Sequence, residues 1–286
     1  MGDYLLRDQA PLSSEQWERI DGTVKSAAER NLVGRRIIPL LGPFGPGVQA
    51  IPSDMLAGVE QGAVSFLGEE EGGLVHATGR EYVPLPMIYK DFRLHWRDLE
   101  TAAQLGIPLD VSAAAAAATF CARTEDDLIF NGCQVSGYRY AGLTTVEGRT
   151  QVAMSNWAEA GAAFNDVVIA TQKLVENELF GPYALVVNPR LYANLNRLFG
   201  NTGVLELQQV QRLATAGVFQ TPVLSDSVAV VVSVGAENMD LAVAQDLVTA
   251  FLETSKLNHI FRVMEILALR IKRPAAICTI ERPAGS

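Results

Sequence analysis

Apolar positions along the chain fall into distinct spacings, and each spacing predicts a different element. Trp17, Ile20, Val24 and the Ala27/Ala28 pair recur every three or four residues, the stripe of an amphipathic helix. Ser13 and Gln16 open it as a capping box, which satisfies the first free amides, and Gly34 after Leu32 supplies a stop. Residues 1–12 read as an extended arm, because Pro11 keeps Ala10 out of helical geometry.

Glycine changes the texture of residues 42–86. Gly42-Pro43-Phe44-Gly45-Pro46-Gly47 is a turn cluster, and Gly58, Gly62, Gly68, Gly72, Gly73 and Gly79 interrupt short apolar runs. This predicts a long β-hairpin excursion with Glu69-Glu70-Glu71-Gly72-Gly73 as a solvated turn. Residues 108–131 then predict a spine helix that opens at Asp110 or Ser112, runs through Ala113–Ala118 and ends before Asn131-Gly132. Alanine loses no side-chain entropy in a helix and lets another backbone approach closely. Glu125-Asp126-Asp127 near its end read as a solvated face or an inter-subunit salt bridge.

Helical and strand patterns alternate from about 157 to 244. Helices are predicted over about 165–179, from Asn188-Pro189 to near Gly200, and over about 205–216; Tyr183–Val187 and Val228–Val234 read as buried strands. Together they predict a compact α/β lobe with Gly200-Asn201-Thr202-Gly203 as its polar tip. The final pattern, Ile260–Ile271, alternates: Phe261, Val263, Leu267, Leu269 and Ile271 share a face with Glu265. A carboxylate on an apolar face needs a partner, so Glu265 reads as a paired anchor within the sheet or between subunits.

Composition adds a reason to associate. Apolar residues make up 49% of the 286, and charged residues only 19% against a usual ~25%. A lone monomer would carry that surplus as exposed patches. The 23 Lys and Arg against 32 Asp and Glu leave a net charge of −9, the wrong sign for a dedicated nucleic-acid binder. Cys121, Cys133 and Cys278 form no CxxC pair and are odd in number, which fits a reduced cytoplasm. No export signal or membrane-spanning stretch is visible, so a cytoplasmic protein without a membrane partner is expected.

Catalytic chemistry leaves little trace. His76, His95 and His259 lie in different regions with no metal-ligand spacing, and GxGxxG, GxxxxGK[ST] and GxSxG are absent. No metal site, resident cofactor or catalytic residue is therefore expected, although distant residues can converge in space as triads do.

Several stretches together resemble the encapsulins, bacterial protein shells related to tailed-phage capsid proteins. They are Ala10-Pro11-Leu12 through Trp17, Ile20-Asp21; Gly34-Arg35-Arg36; Ile129-Phe130-Asn131-Gly132-Cys133 with Ser136-Gly137 and Gly142-Leu143; Gly181-Pro182-Tyr183 through Val187; Gln245-Asp246-Leu247; and Glu265 with Pro274. The resemblance implies an α+β, tailed-phage capsid-like fold. It divides the chain into an N-terminal arm and docking helix (1–40), an extended loop (41–86), a peripheral domain (87–142 and 245–286) and an axial domain (143–244).

The same resemblance implies an icosahedral shell of many copies of this chain, enclosing a cargo enzyme such as a ferritin-like iron oxidase or a dye-decolourising peroxidase. The cargo's C-terminal peptide would bind beside the first helix, where Ala28, Leu32, Val33 and Arg35 either line the groove or only pack the helix onto its own subunit. Gly200, Asn201, Thr202 and Gly203 would line a pore for ions or small substrates. Two departures stand out. Some encapsulins bind flavin through a tryptophan where this chain has Arg97, with Trp96 one place early, so the flavin site is not carried over; and Gly235-Ala236-Glu237-Asn238-Met239-Asp240 replaces an Arg-Gly-Gly-Asp-like turn. The other readings are a DNA-packaging phage capsid subunit, which the −9 disfavours, and a bacteriocin-like or proteolytic enzyme, which the missing motifs disfavour.

Overall fold

The structure, a computed structural model, describes residues 4–57, 62, 64–67, 74–200 and 203–283, with the side chains of 55–57 excepted. Helix α1 (Ser14–Asn31) begins as the capping box requires: the Ser13 hydroxyl accepts from the Gln16 amide, and the Gln16 side chain accepts from the Ser13 amide. It buries Ile20, Val24, Ala27 and Ala28 along one face. Helix α2 (Trp96–Leu105) stops at Gly106, which takes a left-handed φ of 63°. Helix α3 (Ser112–Asn131) is the alanine-rich spine, and α1 packs along it. Helices α4 (Ala162–Glu176), α5 (Pro189–Leu195) and α6 (Glu206–Leu213) belong to the second half of the chain.

The strands, in chain order, are β1 (Leu40–Leu41), β2 (Ala50–Ala57), β3 (His76–Pro84), β4 (Met87–Leu94), β5 (Gly132–Val135), β6 (Tyr138–Ala141), β7 (Thr150–Ala153), β8 (Tyr183–Val187), β9 (Gly217–Gln220), β10 (Val228–Ser233), β11 (Met239–Ser255), β12 (Asn258–Ile271) and β13 (Ile277–Glu281). One sheet has the order β1-β11-β12-β4 and carries α1 and α3 on one face. Phe92, Phe251 and Phe261 meet across its three long strands, and Trp17 of α1 packs edge-on against Phe261. A second sheet, β7-β13-β10-β8-β9, forms the α/β lobe with α4, α5 and α6. The β2–β3 hairpin is a two-stranded sheet of its own, as the glycine pattern predicted; its expected Glu69–Gly73 turn lies outside the described residues.

Several expectations need correction. Strand β13 pairs with β10 and β7, so residues 277–281 join the sheet of the α/β lobe, although the expected division grouped them with the spine helix. The expected boundary near 245 also cuts through β11, a single strand. The interior of β12 is buried on both faces, because Met264, Ile266 and Ala268 are covered as well as Val263, Glu265 and Leu267. The hairpin base reaches that second face, where Arg270 donates to the Pro52 carbonyl.

The lobe's helices are also shifted. Helix α4 starts near 162 because the buried carboxylate of Glu206 accepts the Gly161 and Phe164 amides at its N-terminus. Helix α5 ends at Leu195, where Asn196 turns the chain and its side chain bonds to the Tyr192 carbonyl. Among the described residues, no helix is long and apolar enough to cross a membrane.

Candidate functional site

The four-residue spacing of Val24, Ala28 and Leu32 sets them one above another along α1, and they form one wall of a groove of about 700 Å³. Strand β11 supplies the opposite wall with Leu247, Val248 and Thr249, and Leu5 of the arm closes one end. Leu247 packs against the cluster formed by Ala28, Leu32 and Ala122. The groove exists because β11 loses its neighbour here. β1 pairs only with Leu241 and Ala242, the register is broken around Gln245, and the arm resumes contact at Thr249 and Phe251. An extended segment with small aliphatic side chains fits such a slot beside a strand edge.

The arm is held by Arg7. Its guanidinium donates to both oxygens of Asp21, to the Thr249 carbonyl, and lies over the Trp17 ring. At the groove's other end, Arg35 donates to Glu125 of α3 and Glu265 of β12 at 2.8 Å, and to Asp246 of β11 at 2.7 Å. The Gly34–Arg36 turn that presents Arg35 is fixed by Asp126, whose carboxylate accepts the Val33 and Gly34 amides and the Thr221 hydroxyl. Glu125 and Asp126, expected on a solvated face or between subunits, are thus buried inside one chain. Ion pairing and amide bonding make that burial possible.

Electrostatics follow from this packing. Burial raises Asp126 to about 7, despite the amides it accepts. Burial and the neighbouring Glu125 raise Glu265 well above the ordinary carboxylate range, and Arg35 only partly offsets them. Burial opposes the charge of Arg35 too, but Glu125 and Glu265 outweigh it and raise its pKa. Asp246 stays below its ordinary value, because its bond to Arg35 overcomes the cost of burial.

Of the residues singled out in the sequence, Ala28, Leu32 and Arg35 line the groove. Val33 turns into the main core instead. Arg35 is no free cationic end, since three carboxylates of its own chain engage it. Arg7, Leu247 and Thr249 went unassigned; Gln245-Asp246-Leu247 carried part of the family resemblance, but only pairing in space places it against α1. At the lobe tip, Gly200 and Gly203 both have positive φ, and the Leu198–Leu205 bridge brings the flanks together. Asn201 and Thr202, the other two residues expected at a pore, lie outside the described residues. Trp96 opens α2 with the Arg97 guanidinium 5.6 Å from its ring centroid. Among the described residues, no group of three His, Cys, Asp or Glu side chains is placed to hold a metal ion.

A spine helix against a four-stranded sheet, an α/β lobe and an outlying hairpin define a capsid-type shell subunit. The structure resembles the virus-like particle from Pyrococcus furiosus, with a TM-score of 0.76 and 22% identity over 93% of this chain and 100% of that one. It also resembles the capsid of the Myoviridae phage XM1, with a TM-score of 0.64 and 12% identity over 85% and 89%. Residues 2–268 match the family described as an encapsulating protein for peroxidase. The type 1 encapsulin shell protein EncA of Myxococcus xanthus is 50% identical over 98% of this chain and 97% of its own length. The diheme-cytochrome-encapsulin shell fusion protein of Kuenenia stuttgartiensis is 41% identical over 96% and 75%. The chain belongs to the encapsulin family.

Proposed function

We propose that copies of this chain close into an icosahedral shell around a cargo enzyme, and that the cargo is held by a short C-terminal peptide seated between α1 and β11. The groove carries this reading: an apolar slot beside a strand edge suits an extended aliphatic segment. Exposed apolar side chains on the hairpin and sheet support assembly, among them Leu40, Phe44, Tyr82, Met87 and Tyr89. The family description names a peroxidase, and a Pyrococcus furiosus relative is a ferritin-like-encapsulin shell fusion, so these are the two cargo classes to try first. Ions and small substrates enter through pores, one of them ringed by the 200–203 tip, and the shell itself works in the cytoplasm without turnover of its own.

Co-expression with a peroxidase or ferritin-like protein bearing an apolar C-terminal peptide tests the reading. The expected result is a large particle that retains the enzyme, and a Leu32→Asp shell that still assembles but purifies empty. Small species only, or cargo retention unchanged by Leu32→Asp, would overturn it. The competing DNA-packaging role predicts nuclease-protected nucleic acid inside purified particles; the net charge of −9 argues against that outcome.

A further inference from the structure

The Arg35 cluster holds one guanidinium against three carboxylates. Asp246 is largely open to water, but the side chains of Glu125 and Glu265 are 0% and 1% exposed. An Oε2 atom from each of these two lies 2.8 Å from the same Arg35 Nη2. Glu265 Oε1 is buried without a hydrogen-bond partner. Two carboxylates crowded into a dry site do not both ionise, because like charges at close range and lost hydration each favour the neutral form. We propose that Glu125 and Glu265 share a single proton, and that this proton completes a latch fastening the end of α1 to the sheet, which opens when the proton leaves to solvent.

The surroundings support the latch. From the turn after α1 only Arg35 reaches in to pair with the two glutamates, and Lys25 of α1 acts on Asp246 from the groove side. From α3 the neighbours are Cys121 and Asp126, from β11 Asp246, and from β4 Lys90 and Asp91, which act on Cys121. Glu265 is raised in the folded chain, so the fastened state binds a proton that the released state gives up. The latch is therefore complete at low pH and weakens as pH rises through the raised value. Because α1 walls the groove, opening would also loosen a docked peptide; this last consequence rests on the cargo reading, whereas the latch does not.

Hydrogen exchange on assembled particles from about pH 6 to 9, corrected for intrinsic rates, tests it. Exchange across residues 24–36 is expected to rise with pH, by up to about tenfold per pH unit, and to level off once the raised value is passed, as loss of one proton requires. Glu265→Gln keeps the shape and gives Glu125 a permanent N–H donor, so its profile should lose the Glu265 component and rise less steeply than the wild type, with Asp126 titrating in both. Infrared spectra at neutral pH should show a protonated-carboxyl stretch that Asp126→Asn keeps and Glu265→Gln loses. A flat wild-type profile, or a Glu265→Gln profile that follows the wild type, would overturn the latch. If Glu265→Gln does not assemble, the infrared band of Asp126→Asn decides, and its absence at neutral pH sinks the proposal. Opening of 24–36 without release of a docked peptide would count against the cargo reading and leave the latch standing.

Discussion

The Arg7 guanidinium lies over the Trp17 indole, 4.5 Å from the ring centroid, while holding the two Asp21 oxygens at 2.7 and 2.8 Å. Stacking and pairing come from one side chain, and its Nε reaches the Thr249 carbonyl as well. One side chain thereby ties the arm to both α1 and β11.

Arg7→Ala should free that arm. The cation–π contact is worth ~0.5–1 kcal/mol and the partly exposed ion pair ~0.2–1 kcal/mol, so a loss of about 1–2 kcal/mol is expected. Chymotryptic cleavage near Tyr4 and Leu5 should speed up, and Arg7→Lys should rescue little, because an ammonium cannot form the fork. Unchanged cleavage in Arg7→Ala would show that other contacts hold the arm.

Gly34→Ala tests why glycine stands at the start of the Gly34-Arg35-Arg36 turn. A Cβ there would lie 2.5 Å from Ile129 Cδ1 and 3.3 Å from Asp126 Oδ1, and Ile129 is fully buried. Overpacking of this kind costs ~1–3 kcal/mol. The midpoint of thermal unfolding should fall, and Ile129→Val in the same chain should recover part of the loss.

Asp240 is buried between two cations, with Arg270 at 2.7 Å and Lys272 at 2.6 Å. Asp240→Ala strands Arg270 in a site where it is only 11% exposed, and breaking a buried pair costs ~3–5 kcal/mol. Chemical denaturation should register that loss in the single variant and a smaller one in Asp240→Ala/Arg270→Met. Equal losses in both would mean that the stranded charge is not the cause.

Thiol reactivity should separate the three cysteines. Burial raises Cys121 and Cys278 to about 12, whereas Cys133 is exposed on β5. Only thiolate reacts, so an aromatic disulfide reagent near pH 8 should label Cys133 in the native chain and all three after unfolding. Mass spectrometry of the labelled peptides reads this directly.

Local chemistry in the sequence was enough to place α1, with its Ser13–Gln16 box, and β8, with its unbroken Tyr183–Val187 run. It also marked Glu265 as needing a partner, since an isolated carboxylate on an apolar strand is costly. The partner itself was hidden, because Arg35 precedes Glu265 by 230 residues and Glu125 by 90, and only packing of α1 on the sheet joins them. Strand β11 escaped notice for another reason. Its breaks in register around Gln245 spoil the two-residue alternation by which a strand is seen. The groove was legible on its helix side alone, where Ala28 and Leu32 share a spacing.

The β2–β3 ribbon has a consequence for when the subunit is finished. Two strands by themselves are marginal in water, and this pair is tied to the body near its base, through Pro52 and Arg270 and through the Tyr140 hydroxyl, which donates to the Pro84 carbonyl. In the shell proposed above, neighbours would cover this arm, and its order would then follow mass action, growing with their concentration. On that reading a dilute subunit and a crowded one would differ in shape at this arm.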